Sequence, residues 1–257
     1  MRTSRIRERW GNGEAVISAW LSIGNSYTAE MAGCSGVDCV TVDLQHGMTG
    51  VSTMITMLQA ISSTPATPLV RVPNGDPAIV MKALDAGAYG VICPMIGSVE
   101  EATAFVAATR YPPRGMRSFG PARGLLYGGA DYGERADATV MRLAMIETLA
   151  GLRAAEAICA VDGLDGIFIG PSDLGLALGC GAALDPTKAR VVAAIDRCRL
   201  AARRAGKHAG IFCPSGSVAG RRIDEGFDFV VPNSDANLLK GALAAELRAA
   251  RPEQVHR

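Results

Sequence analysis

Histidine is nearly missing from this chain: of 257 residues only three are His, and one of them, His256, stands in the C-terminal tail. Imidazole chemistry is thereby restricted to His46 and His208, and a metal site built from a histidine or cysteine cluster is not expected. Charge imbalance is lacking too, since 26 Lys and Arg face 25 Asp and Glu, scattered along the chain. That leaves no electrostatic footprint for nucleic acid or an anionic membrane, and a small-molecule partner is favoured. No apolar run reaches the roughly 18 residues of a membrane span, and the charged start "MRTSRIRERW" has no apolar centre of a secretory signal. The seven cysteines are odd in number and never spaced C-x-x-C. Cys39, Cys93 and Cys213 sit in apolar runs, as reduced thiols used as small hydrophobes do. A cytoplasmic location is expected.

What the chain does contain is alternation. Eight short β-rich runs, "AVISAWL", "CVTVDL", "PLVRV", "YGVICPM", "RLAMIE", "GIFIG", "HAGIF" and "FDFVVP", are separated by amphipathic or Ala-rich stretches. Among these stretches, 50–62, 76–86, 98–110, 148–160, 187–205, 216–226 and 235–250 are each long enough for a crossover helix. Asn74 or Asp76 near Pro77, Ser98 before Glu100 and Glu101, and Ser234 or Asp235 supply helix caps. Near-continuous apolar strands fit a parallel sheet covered on both faces. Eight strands in a chain of this length predict a single TIM (β/α)8 barrel, residues 1–257, with no linker or repeat to divide it.

In such a barrel, polar groups at strand ends converge on the C-terminal mouth. Trp20 ends the first strand, Asp43 and His46 follow the second, Arg71 sits in the third, Glu147 ends the fifth, and "GPSD" with Asp173 follows the sixth. Each has two readings. Glu147 and Asp173, after adjacent strands, either share a hard cation such as Mg²⁺ or Mn²⁺, with Co²⁺ as a substitute, or cap helices and pair with arginines. Gly170, Ser172 and Asp173 form either an anion-binding turn or a plain structural one. His46 is either a general base for chemistry near neutral pH or a surface imidazole hydrogen-bonded to Asp43. Arg71, in an apolar run, needs an ionic partner, and an oxyanion at the mouth would supply one. His208 opens the seventh strand at the opposite face and is assigned no chemistry. Residues 111–140 hold six glycines, three prolines and four arginines after the fourth strand. The stretch is expected to begin at the mouth and to bind something or meet a neighbour, a solvated insertion being the alternative.

Around these residues the sequence resembles the HpcH/HpaI aldolases, metal-dependent class II enzymes acting on pyruvate-type donors. The matching landmarks are Trp20 in "AWLS", "VDLQHG", "PLVRVP", "MKALDAGAYGVICPM", "ATRYPPRGMRSFGP", "MIET" and "GIFIGPSDL". The resemblance implies that His46 transfers protons with help from Asp85, that Arg71 stabilises an enolate, and that Glu147 and Asp173 ligate a divalent metal. It further implies that Gly170, Ser172 and Asp173 bring backbone amides to the carboxylate of a 2-oxo acid, and Phe212 in the seventh run is placed with them at the substrate. A homohexamer that exchanges its last helix, residues 235–250, is implied as well. Many members carry Gln where this chain has Met145, two residues before Glu147 and on the same side of the strand, which leaves the choice between pyruvate and hydroxypyruvate open. With Lys82 and Lys240 in helices and Lys207 ahead of strand seven, no Schiff base is expected. Alternatives are oxaloacetate decarboxylation through the same enolate, a coenzyme A thioester lyase, for which no nucleotide-binding surface is identified, and a non-catalytic 2-oxo acid binding protein.

Overall fold

The computed structural model describes residues 2–251, so His256 lies outside the described residues. The chain opens with α1 (Arg5–Gly11), β1 (Val16–Leu21), α2 (Ser26–Cys34), β2 (Cys39–Asp43) and α3 (Val51–Ser62). It continues through β3 (Thr67–Arg71), α4 (Pro77–Asp85), β4 (Gly90–Cys93), α5 (Val99–Thr109), α6 (Ala122–Gly128) and α7 (Tyr132–Thr139). Next come β5 (Met141–Ile146), α8 (Leu149–Cys159), β6 (Gly166–Ile169), α9 (Pro171–Ala177) and α10 (Ala189–Arg204). The last elements are β7 (His208–Cys213), α11 (Gly216–Asp224), β8 (Phe229–Pro232) and α12 (Asp235–Ala250). The eight strands pair in sequence order, all parallel, and β8 returns to β1 to close the barrel. The caps read from sequence are in place, with Asp76, Ser98 and Ser234 each accepting a first-turn amide.

Two apolar layers follow from the strand period of two. Side chains pointing outward, such as Val40, Val70 and Ile167, pack under the helices. Those pointing inward, including Leu69, Ile92, Leu143, Met145, Phe168 and Phe229, fill the barrel. One glycine makes room for that filling, and a second lies tight against the backbone of the neighbouring strand. A Cβ on Gly210 would lie 2.7 Å from the Phe168 ring, and one on Gly166 would lie 2.2 Å from the His208 carbonyl oxygen.

The arginine-rich start is a plug for the N-terminal end. Ile6 of α1 enters the barrel interior, while Arg5 and Arg9 bond the buried Asp38 and Arg7 pairs with Asp165 at 2.7 Å. Trp10 stacks on His208 at 3.7 Å and donates from its indole to the Asp228 carbonyl, which accounts for His208 as a structural residue. Among the described residues, no helix is long and apolar enough to cross a membrane.

Residues 111–140 correct an expectation. They follow α5, which has already carried the chain back from the mouth, so the segment lies at the N-terminal end. There the Gly128 carbonyl accepts from the Arg2 amide, and the Val140 carbonyl accepts from Arg7. The segment is also not a bare loop, because α6 and α7 form within it. The first crossover helix, α2, was not singled out in the sequence, since it buries only Ala29 and Gly33 and carries little periodic signal.

Because Ile6 is fully buried among barrel side chains, Ile6→Ala is expected to lower unfolding stability by about 2–5 kcal/mol. Urea denaturation checks this, and binding at the opposite mouth should be unaffected in the protein that remains folded.

Candidate active site

The end of β2 and the end of β3 lie side by side, with Asp43 and Arg71 as register partners. That placement gives Arg71 its ionic partner: Nε donates to Asp43 Oδ1 at 2.8 Å and Nη2 donates to Oδ2, a two-point clamp. The Trp20 indole donates to the same carboxylate at 3.2 Å, and its ring lies 4.8 Å from the guanidinium carbon. Burial pushes the Asp43 carboxyl up, but the Arg71 hydrogen bonds and charge outweigh it, and the amides of His46 and Gln45 add to them. The net direction is below the usual carboxylate range, so Asp43 is ionised and occupied. It therefore does not serve the His46 imidazole. Asp43 takes the backbone N–H of His46 at 3.3 Å, while the exposed ring projects at the cavity rim. Within the chain, the ionic partner of Arg71 is the Asp43 carboxylate, and Asp43 bonds the backbone of His46 and not its imidazole.

Glu147 follows β5 and is only 4% exposed. Its Oε1 accepts the Met95 amide at 2.8 Å, and its Oε2 rests against Gly170, where an added Cβ would lie 2.4 Å away. Burial drives the Glu147 carboxyl upward, the Met95 amide opposes this, the neighbouring Asp173 carboxylate raises it further, and the Arg71 charge lowers it. Among the described residues, neither Glu147 nor Asp173 is in an ion pair with Lys or Arg, and no group of three or more His, Cys, Asp and Glu is placed to hold a metal. Two oxygen-donor carboxylates without a salt bridge to Lys or Arg, one of them with an oxygen against a glycine that leaves room for it, fit a hard divalent cation completed by other oxygen ligands.

One cavity of about 240 Å³ opens at the C-terminal mouth, where Trp20, His46, Arg71, Met145, Ser172, Asp173 and Phe212 meet; Glu147 is not in its lining but rests against Gly170, which is. Its floor is aromatic: Trp20 stacks on Phe168 at 5.6 Å and meets Phe212 edge-on at 5.7 Å. "GPSD" is the start of α9 rather than an isolated turn. Gly170 caps it, Pro171 opens it, and the first-turn amides at 172 and 173 have no intrahelical acceptor. Met145 is buried in the barrel interior and also lines the cavity.

Asp85 is the assigned residue that the fold does not bring here. It ends α4, which runs from the mouth to the opposite end, and there its carboxylate pairs at 2.8 Å with the fully buried Arg117. Within one chain it has no path to His46. Sequence reading also left out Ser22, Leu184, Ser234 and Asn237, which line the cavity from β1, the segment before α10, and the start of α12. The Asp43–Arg71 pair was within reach, because consecutive parallel strands place their last residues together.

Comparison with known proteins agrees with this arrangement. Residues 17–240 match the HpcH/HpaI aldolase/citrate lyase family. A hydroxypyruvate/pyruvate aldolase from Rhizorhabdus wittichii is 42% identical over 248 residues, covering 96% of this chain and 99% of that protein. A 4-hydroxy-2-oxo-heptane-1,7-dioate aldolase from Salmonella dublin is 38% identical, with 93% and 90% covered. The crystal structure of a HpcH/HpaI aldolase/citrate lyase family protein from Burkholderia cenocepacia superposes with a TM-score of 0.88 at 31% identity, covering 96% of this chain and 98% of that one. With a barrel of the same shape and a family match that spans all eight strands, this chain belongs to the HpcH/HpaI aldolase/citrate lyase family.

Proposed function

We propose that this protein is a metal-dependent aldolase that makes or cleaves hydroxy 2-oxo acids from a pyruvate or hydroxypyruvate donor and an aldehyde. The observation that carries this reading is the meeting, in one cavity, of a clamped guanidinium with Asp173 and with Gly170, against which rests the buried Glu147 carboxylate, held by no salt bridge. The names of the aldolase relatives support the donor class. Glu147 and Asp173 would hold the cation, Mg²⁺ or Mn²⁺ with Co²⁺ as a substitute. When bound, it supplies Lewis acidity that makes the C–H next to the keto group easier to ionise.

The remaining work falls to the chain. The free amides at the start of α9 and the Ser172 hydroxyl bind and orient the donor carboxylate. His46 takes the proton from the donor carbon, and the electron pair left behind forms the enolate. Arg71, prevented by Asp43 from swinging away, stabilises the developing negative oxygen. The enolate carbon then attacks the aldehyde carbon, its carbonyl π bond breaks toward oxygen, and the new alkoxide oxygen accepts the proton that His46 carries. Cleavage runs the same path backward. Trp20, Phe168 and Phe212 exclude water and keep those charges effective. The assembly is proposed to be a homo-oligomer, a hexamer with α12 exchanged. In support, α12 has no buried residue and leaves Leu238, Leu239, Leu243 and Leu247 exposed.

Exhaustive chelation is expected to abolish 2-oxo acid formation from an aldol substrate, and Mg²⁺, Mn²⁺ or Co²⁺ to restore it. Gly170→Ala should bind metal more weakly, since its methyl would displace Glu147 Oε2. Undiminished activity after metal removal rejects the reading.

His46→Ala is expected to slow exchange of pyruvate methyl protons into deuterated water by about 10²–10⁴, read by NMR, with metal affinity unchanged. Exchange at the wild-type rate would make His46 a bystander.

Met145→Gln adds a donor and acceptor beside the donor pocket. A tenfold shift in the ratio of kcat/KM for pyruvate and hydroxypyruvate is expected, equivalent to about 1.4 kcal/mol. An unmoved ratio in a destabilised protein would make Met145 ordinary barrel core.

A further inference from the structure

Among the described residues, only two that are not glycine have a left-handed backbone, Met95 with φ 60° and Asn233 with φ 84°. Asn233 explains itself. Asn tolerates this region, and its side chain donates to the Pro214 carbonyl and accepts from the Ser234 amide. Met95 has no such compensation. Its side chain is 54% exposed, so packing does not hold it there, and Met gains nothing locally from a positive φ. The loop that carries it is nevertheless tightly seated: Ile96 is buried, and its carbonyl approaches Gly151 so closely that a Cβ there would lie 2.5 Å away.

What the unusual conformation does achieve is the 2.8 Å hydrogen bond from the Met95 amide to Glu147 Oε1. With Oε1 held in this way, Oε2 lies against Gly170. A backbone strain that persists beside a functional group, with no other benefit, points to that group.

We propose that Met95 is a positioning residue for Glu147, acting through its left-handed backbone and not through its thioether: it ties down Oε1 so that Oε2 is left beside Gly170 for the cation. This inference rests on the cation reading above. Partners that orient metal-ligating side chains typically change affinity by about 10–100-fold when lost.

The test is Mn²⁺ binding to the full-length protein, by calorimetry and electron spin resonance, for wild type, Met95→Gly, Met95→Ala and Met95→Val. Gly accepts φ 60° freely, and Ala keeps the loop backbone while removing the thioether, so both should bind within about threefold of wild type. Val resists the left-handed region most and should bind at least tenfold more weakly. The proposal is overturned if Val binds like wild type, or if Gly and Ala lose affinity while Val retains it, which would assign the role to the side chain. If Val does not fold, ¹⁵N-methionine-labelled wild type decides instead. Its residue 95 amide resonance should shift on Mg²⁺ addition, and an unmoved resonance overturns the proposal. A wild-type protein that binds no Mn²⁺ overturns the cation reading itself, and the Met95 role with it.

Discussion

Closure of the parallel sheet, with Val16 and Ile17 of β1 hydrogen-bonded in register to Phe229 and Val230 of β8, is the constraint from which the site follows. Once eight parallel strands form a ring, every strand's C-terminal end opens on the same face, and residues distant in sequence become neighbours. Asp43 and Arg71 are 28 positions apart yet become register partners. Glu147 and Asp173 meet for the same reason, after β5 and β6. The interior must be filled for the ring to hold its shape. Gly210 yields the space that Phe168 occupies, and Phe168 in turn supports the Trp20 ring at the mouth.

Electrostatics then distinguishes the two sides of that mouth. On the β2–β3 side, the guanidinium and its carboxylate satisfy each other. A buried ion pair of this kind adds little net stability, because desolvation offsets the attraction, but removing one partner alone costs about 3–5 kcal/mol. Its value lies in fixing the guanidinium. On the β5–β6 side the balance is left open, with a buried Glu147 beside Asp173 and only a backbone amide and the charge of Arg71, without a salt bridge, for relief. An arrangement that is unfavourable in the protein alone is what a site that gains a cation would be expected to show.

The opposite end of the barrel is built for a different purpose. Arginines of α1 bond Asp38 and Asp165 ahead of β2 and β6, and Trp10 covers His208. The buried Arg117, with Asp85 and Tyr132 around it, anchors the segment that contains α6 and α7. This division, chemistry at one face and stabilising contacts at the other, is the pattern expected of the architecture.

The sequence by itself determined the architecture, because the alternation of apolar runs with amphipathic stretches is local information that survives without coordinates. It also determined the set of strand-end residues, Trp20, His46, Arg71, Glu147 and Asp173, since a polar side chain at the end of an apolar run is visible in one dimension. Pairing was decided only by the tertiary structure. Asp43 read as the neighbour of His46, three positions away, but register gave it to Arg71 across the strands. The resemblance pairs Asp85 with His46, and within one chain the direction of α4 carries Asp85 to the far end. The 111–140 segment was misplaced because position after a strand was counted before the return of α5. The left-handed backbone of Met95 left no trace in residue type at all, for it is imposed by the closely seated β4–α5 loop and by the carboxylate its amide reaches. Composition and period are properties of the chain, whereas partners, faces and strained dihedrals arise only when distant segments must share one space.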